Sequence, residues 1–213
     1  MVRSRKSLAE QAYEALETQL VTLALAPGEP LQEKHLIETL GFGRTPVREA
    51  VQRLASQGLL RILPRKGLMV TAVKRSELAQ IVEVRRVLER LLVVKAAERA
   101  SHDQRRALAA LAIHLDGLSE DLPSFMRLDR RLDQLLGEAC RNPHLVSSLA
   151  PLHAHCRRLW YLGLPRVDLA SAATFHAALA RSVVDGDGGA AVRALNGIIT
   201  ILEGLVEDLD RID

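Results

Sequence analysis

Aromatic residues make up only 3 % of this 213-residue chain, with one tryptophan, two tyrosines and three phenylalanines. An interior so poor in rings must be built from Leu, Val, Ile and Ala, which favours helices packed on helices over a β-sandwich. Cysteine is equally scarce: Cys140 and Cys156 are too few for a disulfide framework. Cys156 falls on the apolar side of its predicted helix, where a thiol behaves as a small hydrophobe. No apolar run reads as long enough to span a bilayer, and Met1-Val2-Arg3-Ser4-Arg5-Lys6 leads into an amphipathic helix instead of a signal h-region. A cytoplasmic protein without a membrane partner is expected. There is also no nucleophile elbow and no phosphate loop.

What the chain does have is 48 % hydrophobic residues, enough for a sizeable core, and 26 % charged residues to keep it soluble. The net charge of +3 is unevenly spread. Residues 1–75 hold 12 Lys and Arg against 7 Asp and Glu, whereas residues 76–213 hold 17 against 19. A basic module followed by a slightly acidic one suggests nucleic acid at one end and a different task at the other.

Within the basic third, Gly43-Arg44-Thr45-Pro46-Val47-Arg48 opens a predicted helix. Thr45 suits the N-cap and Pro46 the first helical position. Val47, Ala50, Val51 and Leu54 form an apolar stripe, while Arg48 and Arg53 stay outside it. A helix that buries one face and offers arginines at its start has the form of a major-groove reader. Ahead of it, Ser7-Leu8-Ala9-Glu10 has capping-box spacing before a first helix, and a short second helix covers roughly 33–39. After it, Gly58 ends the third helix, and 59–63 and 68–73 read as strands around the basic tip Pro64-Arg65-Lys66-Gly67. Three helices and a basic hairpin predict a winged helix-turn-helix over residues 1–75.

Residues 76–213 predict an all-α antiparallel bundle of six helices, about 77–100, 103–118, 123–140, 144–162, 168–185 and 189–210. The breaks are Ser101-His102-Asp103, Leu122-Pro123, Asn142-Pro143, Leu164-Pro165 and Asp185-Gly186-Asp187-Gly188-Gly189. The fold class is therefore mainly α.

The residues and their order resemble the GntR superfamily of bacterial transcription regulators. Ser7-Leu8-Ala9-Glu10-Gln11, Leu25-Ala26-Pro27-Gly28-Glu29, Leu31-Gln32-Glu33-Lys34, Arg44-Thr45-Pro46-Val47-Arg48-Glu49-Ala50 and Gln57-Gly58-Leu59 fall in register with its N-terminal pattern. The remainder is similar, more loosely, to the FadR-like branch with its FCD effector domain, through Glu83-Val84-Arg85-Arg86-Val87-Leu88-Glu89 and the stretch from His176 to Asp187. The resemblance implies DNA contacts from Lys34, Arg44, Thr45, Arg48, Lys66 and Gly67, with Arg53 and Arg65 as weaker members. Arginine suits bidentate contact with guanine or phosphate, and Gly67 lets the hairpin tip approach a groove.

Helical periodicity places polar residues on apolar faces of the second domain. Arg85 lies amid Leu78, Ile81, Leu88, Leu92 and Ala96, with Glu89 beside it. His176 is central among Leu169, Ala172, Leu179, Ala180 and Val183, and Asp129 borders the stripe of Phe125, Leu128, Leu132, Leu135 and Leu136. Asp133 is one turn further on, somewhat outside it. Buried charge is costly unless paired, so their convergence suggests a polar, effector-binding pocket of Arg85, Asp129, Asp133 and His176. Simpler readings stay open: Arg85 can pair with Glu89 at i,i+4, His176 can be a hydrogen-bonded core histidine, and Asp133 can be a solvated partner of Arg130 or Arg131. His153 and His155 are two apart, point to different sides of their helix and form no ligand pair.

The resemblance further implies a divalent metal held by an Asp and a His one turn apart plus two later histidines. Here Asp129 and His176 match, Asp133 stands for the helix-turn His, and the last His position falls on Ile198. Asp129, Asp133 and His176 suit at most a weakly held Mn²⁺ or Mg²⁺, so a degraded or absent metal site is expected. The expected protein is a homodimeric, palindrome-binding regulator of double-stranded DNA, a repressor in the usual case, released or altered by a small organic acid. A metal-dependent hydrolase using the same pocket and a ligand-independent architectural DNA binder are the alternatives.

Overall fold

Short polar caps and a period of 3.6 dominate the sequence, and helices dominate the computed structural model, which describes residues 6–163 and 167–209. The chain divides into two compact units between Lys74 and Arg75.

The first unit holds helices α1 (Leu8–Val21), α2 (Glu33–Leu40) and α3 (Arg44–Ser56) and strands β1 (Pro30–Leu31), β2 (Leu60–Leu63) and β3 (Gly67–Val70). Ser7 caps α1 by accepting from the Glu10 N–H at 3.1 Å. Glu10 does not close the box; its carboxylate reaches across to Arg53 at 2.8 Å. The core is aliphatic, with Leu16, Leu20, Leu36, Val47, Leu54 and Leu59 fully enclosed. The antiparallel sheet has the order β1-β3-β2, with Leu31 opposite Leu68 and Ile62 opposite Leu68 on the other side. The hairpin strands are shorter than predicted, and β1 was not foreseen because two residues beginning with proline carry no alternating pattern.

One expectation about α3 needs correction. Gly43 is the N-cap, in extended backbone, and Arg44 is the first helical residue, so Thr45 and Pro46 lie inside the first turn. Proline is tolerated there because first-turn N–H groups have no intrahelical acceptor.

The second unit is built from α4 (Arg75–Arg99), α5 (His102–Leu115), α6 (Leu122–Cys140), α7 (Pro143–Leu162), α8 (Leu169–Asp185) and α9 (Gly188–Asp208). α4 lies against α6, α7, α8 and α9 and forms the bundle's centre. Each helix after α4 starts on a side-chain cap: Ser101, Asp121, Asn142, Asp168 and Asp187 each accept from a backbone N–H three residues on. Gly186 closes α8 with φ 75°, where a Cβ would be strained. The predicted break at Leu164-Pro165 lies outside the described residues. α9 corrects a second expectation, because its 21 residues are long and apolar enough to cross a membrane. Ala191, Leu195, Ile198, Ile199 and Leu202 are instead buried, with α9 laid along α4 and α8.

Candidate functional site

Two sets of sequence-predicted residues occupy two different units. In the first, the start of α3 exposes Arg44, Thr45 and Arg48 to solvent, while Val47, Ala50, Val51 and Leu54 anchor its other side. Arg48 donates from Nε to Glu33 Oε1 at 2.7 Å, a surface pair between α3 and α2 that orients the guanidinium without burying it. Lys34 is exposed on the first turn of α2, near Glu38 at 3.9 Å. At the hairpin, the Lys66 N–H donates to the Leu63 carbonyl at 3.0 Å, with Pro64 second in the turn and Arg65 third at φ 63°. That is the pattern of a type II turn, and it holds Arg65 and Lys66 outward.

Two members of the predicted DNA set have roles inside the unit. Arg53 lies over the Tyr13 ring, its Cζ 3.7 Å from the centroid, while its Nη1 holds Glu10. The guanidinium thus ties α3 to α1, a role the sequence reading did not include. Gly67 has φ 93°, and a Cβ there would sit 2.8 Å from the Leu31 carbonyl oxygen. Close approach of β1 already requires glycine at this place.

In the second unit, Arg85, Asp129, Asp133 and His176 do converge, joined by three residues that the sequence reading did not place in the pocket: Glu89, His153 and Arg157. Arg85 donates to Glu89 Oε1 from Nε at 3.1 Å and Nη2 at 2.7 Å. The same Glu89 oxygen lies 2.6 Å from His153 Nε2, and His153 Nδ1 lies 2.9 Å from Asp133 Oδ2. Arg157 donates from Nη2 to Asp133 and from Nε to Asp129 Oδ2, the latter at 2.8 Å. Asp129 Oδ1 lies 3.3 Å from His176 Nε2. The result is one continuous string, Arg85–Glu89–His153–Asp133–Arg157–Asp129–His176, drawn from α4, α6, α7 and α8.

Protonation follows from these neighbours. Both ring nitrogens of His153 face carboxylate oxygens, so both carry protons. Burial works against that charge, but Asp133 and Glu89 outweigh it and raise the ring's pKa. For Glu89 burial is likewise opposed, by Arg85 and then His153, and its carboxyl falls to about 2. Asp129 is held well below the usual carboxylate range, burial being overcome by Arg157 and then His176. Burial also pushes the Cys156 thiol up, against the pull of Arg85. His176 Nδ1 is 2.7 Å from the Ala172 carbonyl, which can only accept, so Nδ1 is a donor there, and Nε2 faces Asp129. Its ring meets Phe125 edge-on at 4.9 Å between centroids.

With His153 charged, three cations of the string face three carboxylates. Little free space remains beside it. The voids beside it measure ≈ 10 Å³ and ≈ 20 Å³, room for about one water each. The large groove of this unit, ≈ 600 Å³, lies elsewhere, between Arg75, Ser76 and Ala79 of α4 and Glu203 and Glu207 of α9. Nor do the residues fit a divalent metal. Among the described residues no three His, Cys, Asp or Glu groups converge as ligands, and Arg157 holds both Asp129 and Asp133. His153, which the sequence reading set aside as background, is the group that links the Glu89 and Asp133 ends of the string.

Comparison with known proteins agrees with both units. Residues 8–70 match the model for bacterial regulatory proteins of the gntR family, and residues 80–200 match the FCD domain. This chain is a GntR-family transcription regulator with an FCD domain. An HTH-type transcriptional regulator from the TAR-I ttuE-ttuC' intergenic region of Agrobacterium vitis is 34% identical over 132 residues, covering 59% of this chain and 76% of that protein. The HTH-type transcriptional repressor RspR of Escherichia coli is 27% identical over 161 residues, covering 74% and 70%. Among solved structures, E. coli McbR/YncC superposes with a TM-score of 0.82 at 24% identity, over 96% of this chain and 99% of that one, which supports the fold. The regulator is thus a DNA-binding protein of mainly α architecture, and its family and relatives are transcription regulators.

Proposed function

We propose that this regulator is a cytoplasmic repressor that binds a palindromic operator as a homodimer and is released when a small organic acid enters the buried string of its FCD domain. The observation that carries the effector reading is that both guanidinium groups of the string, on Arg85 and Arg157, are already bound to carboxylates. An incoming carboxylate offers the same geometry as Glu89, Asp129 or Asp133 and so enters by exchange. Asp129, Asp133 and His176 line the same space and complete the effector site.

On the DNA side, Arg44, Thr45 and Arg48 face the major groove, Lys34 a phosphate, and Arg65 and Lys66 at the wing tip the flanking backbone. Among the described residues Arg44, Arg65 and Lys66 make no ion pair, which leaves them available. The printed name of RspR, a repressor, supports repression.

A second copy of the chain is the partner proposed for the outer face of α4. Val84, Val87 and Leu91 are 47%, 67% and 45% exposed and share one stripe. Antiparallel pairing near Val87 gathers Val84, Val87 and Leu91 of the two copies into one apolar seam and brings Glu83 near the partner's Arg90, a self-complementary match of apolar groups and charge.

The test uses the purified chain on DNA upstream of its own gene, with a panel of carboxylates and sugar acids. A compound that both raises Tm and releases the DNA is expected. If no compound raises Tm while the DNA is still bound, the architectural reading takes its place; turnover of a compound would favour the hydrolase. In the structure, Arg157 engages both carboxylates such a hydrolase would use.

A further inference from the structure

We infer that Arg157 is the resident cation of this FCD domain and that its fork on Asp129 and Asp133 keeps divalent metal out of the pocket. The pocket concerns the same site as the effector reading but is tested without any effector.

The donors come from three helices. Asp129 and Asp133 lie one turn apart on α6, His153 on α7 presents Nδ1 to Asp133, and His176 on α8 presents Nε2 to Asp129. His176 donates from Nδ1 to the Ala172 carbonyl at 2.7 Å, an orientation that metal-bound histidines also use, and its Nε2 faces Asp129 Oδ1. Carboxylates and imidazoles are donor types that transition-metal ions accept, but with Arg157 in place no three of them converge as ligands among the described residues. What stands among them is a guanidinium. Arg157 is buried at 7% exposure, and its fork holds Asp129 with Nε and Asp133 with Nη2. A metal entering this site must expel a buried guanidinium from both of its carboxylates, and a stranded buried charge is strongly unfavourable.

Charge makes the same point. Arg85 and Arg157 are already bound to Glu89, Asp129 and Asp133. A divalent ion added to this set would bring two more positive charges among carboxylates that are already paired. Removing Arg157 reverses the situation, because the carboxylates then outnumber the cations and the vacated volume lies between them. Ile198, which lines the void from α9, offers no donor, so Arg157 alone sets the preference.

The experiment is a titration of the full-length chain with Co²⁺, read by its d–d absorption and by Tm, in wild type, Arg157→Ala, Arg157→Gln and the double variant Arg157→Ala/His176→Ala. Wild type is expected to show no saturable band. Arg157→Ala should develop a band with an endpoint at one ion per chain, accompanied by a rise in Tm, and the double variant should lose both. Arg157→Gln keeps most of the volume without the charge and should bind more weakly than Arg157→Ala. Should Arg157→Ala be unfolded without metal, Co²⁺-dependent recovery of its circular dichroism supports the inference. A stoichiometric, His176-dependent Co²⁺ site in wild type overturns it, and so does the absence of any Co²⁺ response in both single variants.

Discussion

Arg105, on α5, donates from Nη1 to the carbonyl oxygen of Val184 in the last turn of α8, at 2.6 Å. The same guanidinium serves Val183, and it bonds Ala97 at 2.8 Å and Ala100 at 3.2 Å at the end of α4. These carbonyls lie where a helix runs out of i+4 donors, at the negative end of its dipole, and Val183 accepts from the Gly186 N–H as well. One side chain thus closes two helices. Arg105→Ala is expected to lower stability by about 2–4 kcal/mol, with a clear fall in Tm. Arg105→Lys, which lacks the planar fork, should recover only a minor part.

Arg48→Ala should abolish binding to the operator in a mobility-shift assay while leaving Tm nearly unchanged, because the side chain is exposed and its Glu33 partner lies near the surface. Retained binding at the same salt concentration would remove Arg48 from the reading face.

Gly197 sits where α9 meets α8. A Cβ added there would lie 2.7 Å from Phe175 Cγ and closer still to Cδ1 and Cε1. Gly197→Ala must therefore displace a ring, at a cost of about 1–3 kcal/mol by thermal or urea unfolding. Gly204, with open space around it, should accept alanine without such a loss and serves as the control.

Tyr13 gives the first unit an alkaline limit. Burial, then the Glu17 carboxylate, pushes its phenol up to about 12 from 10. The folded state holds this proton more tightly than the unfolded chain does. The contribution to stability is whole below pH 10 and falls as pH rises from about 10 to 12. Tyr13→Phe should flatten that part of the urea-midpoint profile; an unchanged slope would assign it to other groups.

Val87→Glu should turn the proposed dimer into monomers in sedimentation without altering helix content, since Val87 is 67% exposed. Glu83→Arg should weaken assembly by setting like charges together, and Glu83→Arg/Arg90→Glu should restore it.

The sequence made much of this architecture legible because most helices bury one face. Period 3.6 placed Arg85 and His176 in apolar stripes, and both are buried. Arg157 and His153 were missed for a physical reason. From His153 to Trp160 every residue of α7 is buried, so the segment has no solvent side against which a stripe can be recognised. The available signal was the run itself: two histidines and two arginines in a segment with no exposed face must find partners inside. Thr45 was misplaced because Gly43 and Thr45 are both competent caps two residues apart, and which one ends the turn depends on how α3 meets the rest of its unit.

The little space beside the Arg85–His176 string also sets a timetable. A site with room for about one water cannot be filled by collision alone, so an ion pair has to open before a ligand enters. The observed rate of response should then climb with ligand concentration only until it meets the opening rate, and go no faster. Under the proposed function the tempo of release then belongs to the protein, and the supply of the organic acid sets only how often the opening is used.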